Sequence, residues 1–476
     1  MAAPGWSREK AEGPFSKMRL MALVVAVVTW TAAGAQDWAP FQVGLAEIDI
    51  TPPTGYRMDG YFYERLNTGR RDPLMAKALV LQQGDTRAAL VVGDLIGVPQ
   101  TLTNDVRKLA SARTGIPAAS IAIAATHSHT GPLFAGERSR LFSERAAEKS
   151  GSDPLAAVKY PETLRDRLVE VIAAANGRLS PAAMELARTV EDRVSFNRRF
   201  HMKDGTVRFN PGVLNPEIVR PAGPIDPDLP FLLFTKDKKP AGSLTVFALH
   251  ADTVGGTEYS ADYSGQLAAE LRREFGDGFT SIFGIGTCGD INHIDVTGRQ
   301  RYDARLIGQQ LAVRILSARS RVELGQPALA VVSTRLSLPL RKVSEEQAAL
   351  ARSRRDKVGS KDLPFLEQVE IVTTLDLLQR GPVLDAEIQV LRLNRDVAIV
   401  LLPGEVFSEL GLAIKRGSPF EHTLVIELAN DNPAYIPTEK AFKEGSYEIV
   451  NSRIAPGGGE RLAEAAIRLL KEAAAR

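Results

Sequence analysis

Beyond residue 36 the chain is a succession of short apolar, β-rich runs separated by stretches with helical periodicity, and that alternation confines it to an α/β architecture. The runs at 88–92, 121–125, 244–248, 281–284, 397–402 and 424–428 read as strands, and the segments at 162–175, 264–275, 304–318, 345–354 and 459–474 as helices. The last helix is amphipathic. Leu462, Ala466, Leu469 and Leu470 recur on one face while Glu460, Lys471 and Glu472 take the other, a pattern for packing on a core rather than on a membrane. A length of 476 residues admits one large domain or several small ones. No Pro- or Ser-rich linker divides the chain, so 36–476 is expected to form a single large mixed-sheet domain with a helical excursion near 344–364. The polar stretches at 136–152 and 357–361 are expected to be surface excursions.

The N-terminus carries a targeting signal. Lys17 and Arg19 precede an apolar run from Leu20 to Ala33, and Ala33-Gly34-Ala35 has the small-x-small form that signal peptidase cuts, here before Gln36. Residues 1–35 read as a secretory signal peptide, with Met18 as an alternative start and an uncleaved N-terminal anchor as the other reading. The mature protein is expected in a periplasm or outside the cell, without a stable membrane span. Lys+Arg total 59 and Asp+Glu 57, a net charge of +2 that gives no electrostatic footprint for nucleic acid. The basic clusters Arg198-Arg199 and Arg354-Arg355-Asp356 read as solvated surface. A single cysteine, Cys288, forbids an intramolecular disulfide and a Cys-rich zinc site, and by default is a small buried hydrophobe.

The informative residues stand just after the strands: Asp94, His127 and His129, His250, Asp290, and Glu405. In open α/β sheets ligands bind beyond the carboxyl ends of strands, so these groups could converge on one site. In Thr126-His127-Ser128-His129-Thr130-Gly131-Pro132, residues two apart on an extended segment face the same side. One imidazole can then ligate a metal while the other serves as a proton-transfer group or second ligand. Three of the chain's six histidines, His127, His129 and His250, terminate predicted strands. Glu405, in Pro403-Gly404-Glu405, supplies the carboxylate of a His2Glu zinc site, or equally an acid answering a helix dipole. Tyr435 and Tyr447 by themselves read as core-edge tyrosines with wet hydroxyls.

These blocks, in this order, resemble the catalytic domain of the neutral (non-lysosomal) ceramidases. The resemblance runs from Gly44-Leu-Ala-Glu-Ile-Asp-Ile-Thr51-Pro52 and Gly60-Tyr61 through 91–97 to the Thr-His-Ser-His-Thr-Gly-Pro block. It resumes at Phe196-Asn197-Arg198, Ala248-Leu249-His250, Gly289-Asp290, Pro403-Gly404-Glu405 and Tyr435 to Tyr447. It implies an α/β fold of the neutral ceramidase type and one zinc ion per chain, held by His127, His250, Glu405 and Tyr435. It makes His129 the catalytic histidine and places Arg198 and Tyr447 at the scissile amide and its oxyanion, although Arg198 alone would read as a surface residue of a basic loop. The implied reaction is hydrolysis of the N-acyl amide of ceramide or a related sphingolipid.

Two departures bear on the substrate. The family continues into a C-terminal immunoglobulin-like domain, whereas this sequence stops soon after Tyr447. The stretch Gly286-Thr287-Cys288-Gly289-Asp290-Ile291-Asn292-His293 differs from the usual Gly-Asp-Val-Ser-Pro-Asn, and the loop after Pro132 is not the usual glycine-aromatic run. A second reading therefore keeps the zinc site and gives it another substrate, such as an N-acyl amino sugar or a polysaccharide or cell-wall fragment. A third, a non-catalytic binding protein on the same fold, is opposed by the complete set of ligand and catalytic residues.

Overall fold

Pleating sends successive side chains of a strand to opposite faces, and in this protein both faces of the inner strands of the larger sheets meet apolar partners. In the strands Phe41–Asp49, Met75–Gln83 and Thr86–Gly93, Val43, Leu45, Leu79, Leu81 and Leu90 join a central core, while Ala46, Ala78, Val80, Ala89 and Val91 lie under helices. This double burial is why such strands read as continuous apolar runs rather than as alternating ones. The computed structural model describes Met1, residues 39–318 and residues 321–476, so residues 2–35 of the expected signal segment lie outside the described residues. The chain divides into Met1–Ala39 and one compact unit, Pro40–Arg476. No helix among the described residues is long and apolar enough to cross a membrane.

Three mixed sheets contribute to the central core. The first orders Ile121–Ala125, Thr86–Gly93, Met75–Gln83, Phe41–Asp49 and Ser180–Pro181; the second, Thr280–Ile285, Lys239–Phe247, Asp228–Lys236, Ala183–Val190 and Arg321–Glu323. The third orders Ala330–Pro339, Val383–Arg392, Val397–Leu401 and His422–Ile426. Each is antiparallel except at one edge, where Thr86–Gly93 runs parallel to Ile121–Ala125, Lys239–Phe247 to Thr280–Ile285, and Val397–Leu401 to His422–Ile426. Parallel neighbours need a crossover connection, and the helices Gln100–Thr114, Asp262–Phe275 and Ser408–Gly417 provide it. The segment that leaves strand His422–Ile426 is tied to the other two edge strands: the Glu427 amide donates to Ile285 O at 3.0 Å, at the end of Thr280–Ile285, and the Asn430 amide to Ile123 O at 2.7 Å, within Ile121–Ala125.

The mixed α/β class agrees with the expectation. Strand Ile121–Ala125 and helix Glu345–Arg354 have the expected bounds, and the other expected elements shift, lengthen or shorten at their ends. The sheets are mixed, as expected, with antiparallel hairpins making up most of each one. The polar stretch at 136–152 is not a surface excursion: Gly136–Ser150 is a helix that buries Leu141 and Phe142. Its Glu137 is also buried, accepting from Arg140 and, at 2.7 Å, from Gln379 Nε2. In the segment 357–361, Val358 is buried. Arg198 and Arg199 are likewise not solvated surface, at 4% and 1% exposure.

Helix Tyr160–Asn176 packs on the first sheet over Gly44, where a Cβ would stand 1.9 Å from the carbonyl oxygen of Ala175. Because the obstacle is backbone, Gly44→Ala must separate strand and helix. Overpacking of this kind costs about 1–3 kcal/mol, so the urea midpoint is expected to fall; an unchanged midpoint would contradict this account of the packing.

Candidate metal centre and active site

His127 follows the strand Ile121–Ala125 after a single residue, and the chain turns there through a left-handed conformation, φ 65°. For a residue other than glycine this conformation is strained, and such strain is held only where surrounding structure fixes it. The segment is therefore not extended as the sequence pattern assumed, yet both imidazoles reach the same cluster. His127 Nε2 lies 2.9 Å from His250 Nε2 and 3.3 Å from His129 Nε2. Glu405 Oε2 lies 3.4 Å from His127 Nε2 and 3.6 Å from His250 Nε2. Glu405 does not sit on a helix N-terminus: it forms a two-residue strand with Val406, paired in parallel with Tyr435–Ile436. Gly289 allows the approach of this segment, since a Cβ there would lie 2.5 Å from Glu405 O.

The protonation states follow from the outer contacts. His127 Nδ1 faces Ile96 O at 2.7 Å and His250 Nδ1 faces Cys288 O at 3.1 Å. A carbonyl only accepts, so each Nδ1 carries the proton and each Nε2 presents a lone pair. Burial, followed by the positive charge of Arg198 for His250 and by the neighbouring His127 ring for His129, pushes both imidazoles well below their ordinary value, and they stay neutral. Burial alone would raise Glu405, but His127 and the Tyr435 hydroxyl outweigh it and hold the carboxylate below the usual glutamate value. Its Oε2 is buried without a hydrogen-bond partner. Three acceptors thus face one another with no donor between them, an arrangement that a cation resolves. A tetrahedral zinc with N and O ligands at about 2.0–2.2 Å has ligand atoms roughly 3.4 Å apart, close to the 2.9, 3.4 and 3.6 Å separations here. His127, His129 and His250 also form a group able to hold a metal, so His129 competes with Tyr435 for the fourth vertex.

The expected partners surround this cluster. Arg198 is buried: Nη2 donates to Gly289 O at 2.7 Å and to the Tyr435 hydroxyl at 3.0 Å, and Nε to Glu448 at 2.9 Å. Burial favours its neutral form, but Tyr435 and Glu448 dominate and hold the guanidinium firmly charged. The Tyr435 hydroxyl is not wet; the residue is 2% exposed. The Tyr447 ring lies 5.4 Å from that of Tyr435, and burial, then the charge of Glu405, raises its pKa, so its hydroxyl keeps its proton. Asp94 and Asp290 stand apart from the cluster as braces. Asp94 accepts from the Met75 amide at 2.8 Å and from Thr126 Oγ1 at 3.2 Å; Asp290 accepts from the Ser408 amide at 2.8 Å and from Asn197 Nδ2 at 2.7 Å. Cys288 is buried as expected, but its thiol also contacts Glu427 Oε1 at 3.2 Å.

Two cavities meet at His129, Tyr435 and Tyr447. One is a cleft of about 970 Å³ lined by aromatic and apolar side chains, Tyr61, Phe62, Tyr63, Phe209, Val358 and Phe365, together with charged ones that include Glu64, Arg145, Asp356 and Lys361. The other is a chamber of about 160 Å³ lined by polar groups including Arg138, Asp376, Arg380, Asn432, Asn451 and Arg453. Sequence reasoning did not single out Glu448, Glu427 or Asp252. Glu448 adjoins Tyr447 and Asp252 stands two residues after His250, so spacing alone could have raised both.

No family model matches the sequence, and neither does any curated protein. The fold is similar to that of a neutral ceramidase from Pseudomonas aeruginosa, with a TM-score of 0.67 at 19% identity over 92% of this chain and 75% of that one. It is also similar to a ceramidase complexed with C2, with a TM-score of 0.66 at 18% identity over 91% and 75%. The likeness establishes a shared fold.

Glu405→Gln removes the anion from the cluster and is expected to lower zinc content and turnover together; a variant retaining both would remove Glu405 from the site. His129→Ala is expected to keep zinc while turnover falls about 10²- to 10⁴-fold, the usual worth of a general acid or base. Metal analysis of that variant decides the fourth vertex: loss of zinc assigns it to His129.

Proposed function

We propose that this chain is a secreted, zinc-dependent amidohydrolase of the neutral ceramidase type, with residues 36–476 as its catalytic domain. The observation that carries the reading is the buried cluster of three mutually facing acceptors, His127, His250 and Glu405, set between two cavities: His250 lines the wide aromatic cleft, and His127 and Glu405 line the small polar chamber. Zinc held there by these residues, with Tyr435, supplies Lewis acidity, polarising an amide carbonyl and lowering the pKa of water.

The protein's own groups complete the reaction. Among the described residues Arg198 Nη1 makes no hydrogen bond, whereas Nε and Nη2 are engaged, so one arm of the guanidinium is available to a developing oxyanion. The protonated Tyr447 hydroxyl is a second donor. His129, neutral with Nε2 turned toward the cluster, accepts the proton of the attacking water and delivers it to the leaving nitrogen. Water adds its oxygen to the carbonyl carbon, the C–N bond breaks, and the products are a carboxylic acid and an amine.

For the substrate we propose an N-acyl sphingolipid, giving fatty acid and sphingoid base. The cleft, of about 970 Å³, lies at the upper end of the roughly 300–1,000 Å³ typical of ligand pockets, and its aromatic walls suit alkyl chains. The small polar chamber favours a second reading, in which one side of the amide carries a compact polar group, as in an N-acyl amino sugar.

Fatty-acid release by the purified mature protein is to be measured on a panel of N-acyl sphingosines in detergent, with zinc and after chelation, beside a panel of N-acyl sugars. Release from the sphingosines that chelation abolishes and zinc restores is the expected result. Activity confined to the sugars would keep the metal site and overturn the substrate.

A further inference from the structure

We propose that Asp252 is the positioning residue of His129, holding its ring with the proton on Nδ1 so that the Nε2 lone pair faces the reacting centre. This rests on the reading of His129 as the proton-transfer group. The two-residue spacing of His127 and His129 recurs on the segment that supplies His250, where Asp252 is the second residue on. The two segments are joined by the backbone, the His129 amide donating to Ala251 O at 3.1 Å, which sets Asp252 beside the His129 ring.

The three imidazoles of the site differ in one respect. His127 and His250 each have Nδ1 fixed by a backbone carbonyl, at 2.7 and 3.1 Å. His129 Nδ1 is buried and has no hydrogen-bond partner, and the acceptor facing it is Asp252 Oδ1 at 3.6 Å. Asp252 Oδ1, which accepts from the Tyr61 hydroxyl, presents an acceptor to Nδ1, so it selects the Nδ1–H tautomer and opposes a flip of the ring. Contacts of this kind often stand long in a free enzyme and tighten when substrate is seated.

Asp252 is itself held. The Tyr61 hydroxyl donates to the same Oδ1 at 2.9 Å, and the Arg65 guanidinium lies 4.2 Å from the centre of the Tyr61 ring. Arg65 Nη2 donates to His129 O at 2.7 Å, so a single arginine supports both the backbone of the histidine and the tyrosine that orients its carboxylate. Tyr61 and Asp252 also line the aromatic cleft, where a seated substrate would exclude water from the contact.

The test compares Asp252→Asn, Asp252→Ala, Asp252→Glu and Tyr61→Phe with the parent protein in three readouts: zinc content, kcat and KM, and histidine tautomers by ¹⁵N-imidazole NMR without substrate. The Asp252 side chain is 36% exposed, so its replacement leaves no sealed void. Zinc content and KM are expected to stay level while kcat falls about 10- to 100-fold, the range for outer partners of site histidines. Asp252→Glu is expected to recover part of the loss and Tyr61→Phe to show a smaller one. The His129 resonances should change from Nδ1–H to a mixed pattern in Asp252→Ala. Unchanged tautomer and kcat would overturn the proposal, and so would loss of zinc from Asp252→Ala, which would make Asp252 a support of a metal ligand. Because the tautomer is read without substrate, a parent protein inactive on every amide would defeat the functional reading while this assignment is still decided.

Discussion

Lone pairs brought together without a donor are the constraint on which this structure turns. His127 Nε2, His250 Nε2 and Glu405 Oε2 come from three different sheets and would repel one another in a dry interior. A buried acceptor without a partner costs about 1–3 kcal/mol, and here several converge. A cation would resolve this arrangement, and the surrounding structure keeps the acceptors in place for one. Outer carbonyls fix the two tautomers, Gly289 lets the Glu405 segment approach, and the segment after His422–Ile426 is bonded to the other two edge strands.

A second buried electrostatic unit lies alongside. Arg198 and Arg199 each pair with one oxygen of Glu448, at 2.9 and 3.0 Å, and Arg199 also reaches Glu444 at 3.1 Å. Ion pairs this deep contribute little net stability, because desolvation offsets most of the attraction. Their effect is geometric. They clamp the 196–199 segment to the chain around Tyr447, so Arg198 and Tyr447 are held beside the histidine cluster by the same ion pairs. The Arg198 guanidinium also lies over the rings of Phe209, Tyr435 and Tyr447, at 5.1 to 5.8 Å, which fixes its plane.

Much of the fold was legible because its strands are short, apolar and followed by turn residues. Ile121–Ala125 and Glu345–Arg354 could be bounded from pattern alone. The helix Gly136–Ser150 was hidden because nearly half of its residues are charged and its buried face is narrow, Leu141 and Phe142 with an ion-paired Glu137. Arg198 and Arg199 looked like surface because nothing within a few residues announces Glu448, some 250 positions along the chain. Asp252 was passed over because an aspartate in a loop is ordinary until a histidine from another segment is seen beside it.

What the sequence by itself determined is local: where strands end, that histidines and an acid stand at those ends, and that two of the histidines are a residue apart. Each of these follows from periodicity and turn chemistry within a few residues. Only the tertiary structure decided which of the strand-end groups meet. Asp94 and Asp290 occupy the same kind of position as His127 and Glu405, yet they brace backbone amides while the others face one another. The difference arises from how three sheets dock across a shared core and from one left-handed turn at His127. Neither is encoded in spacing, because docking is set by the summed packing of residues hundreds of positions apart.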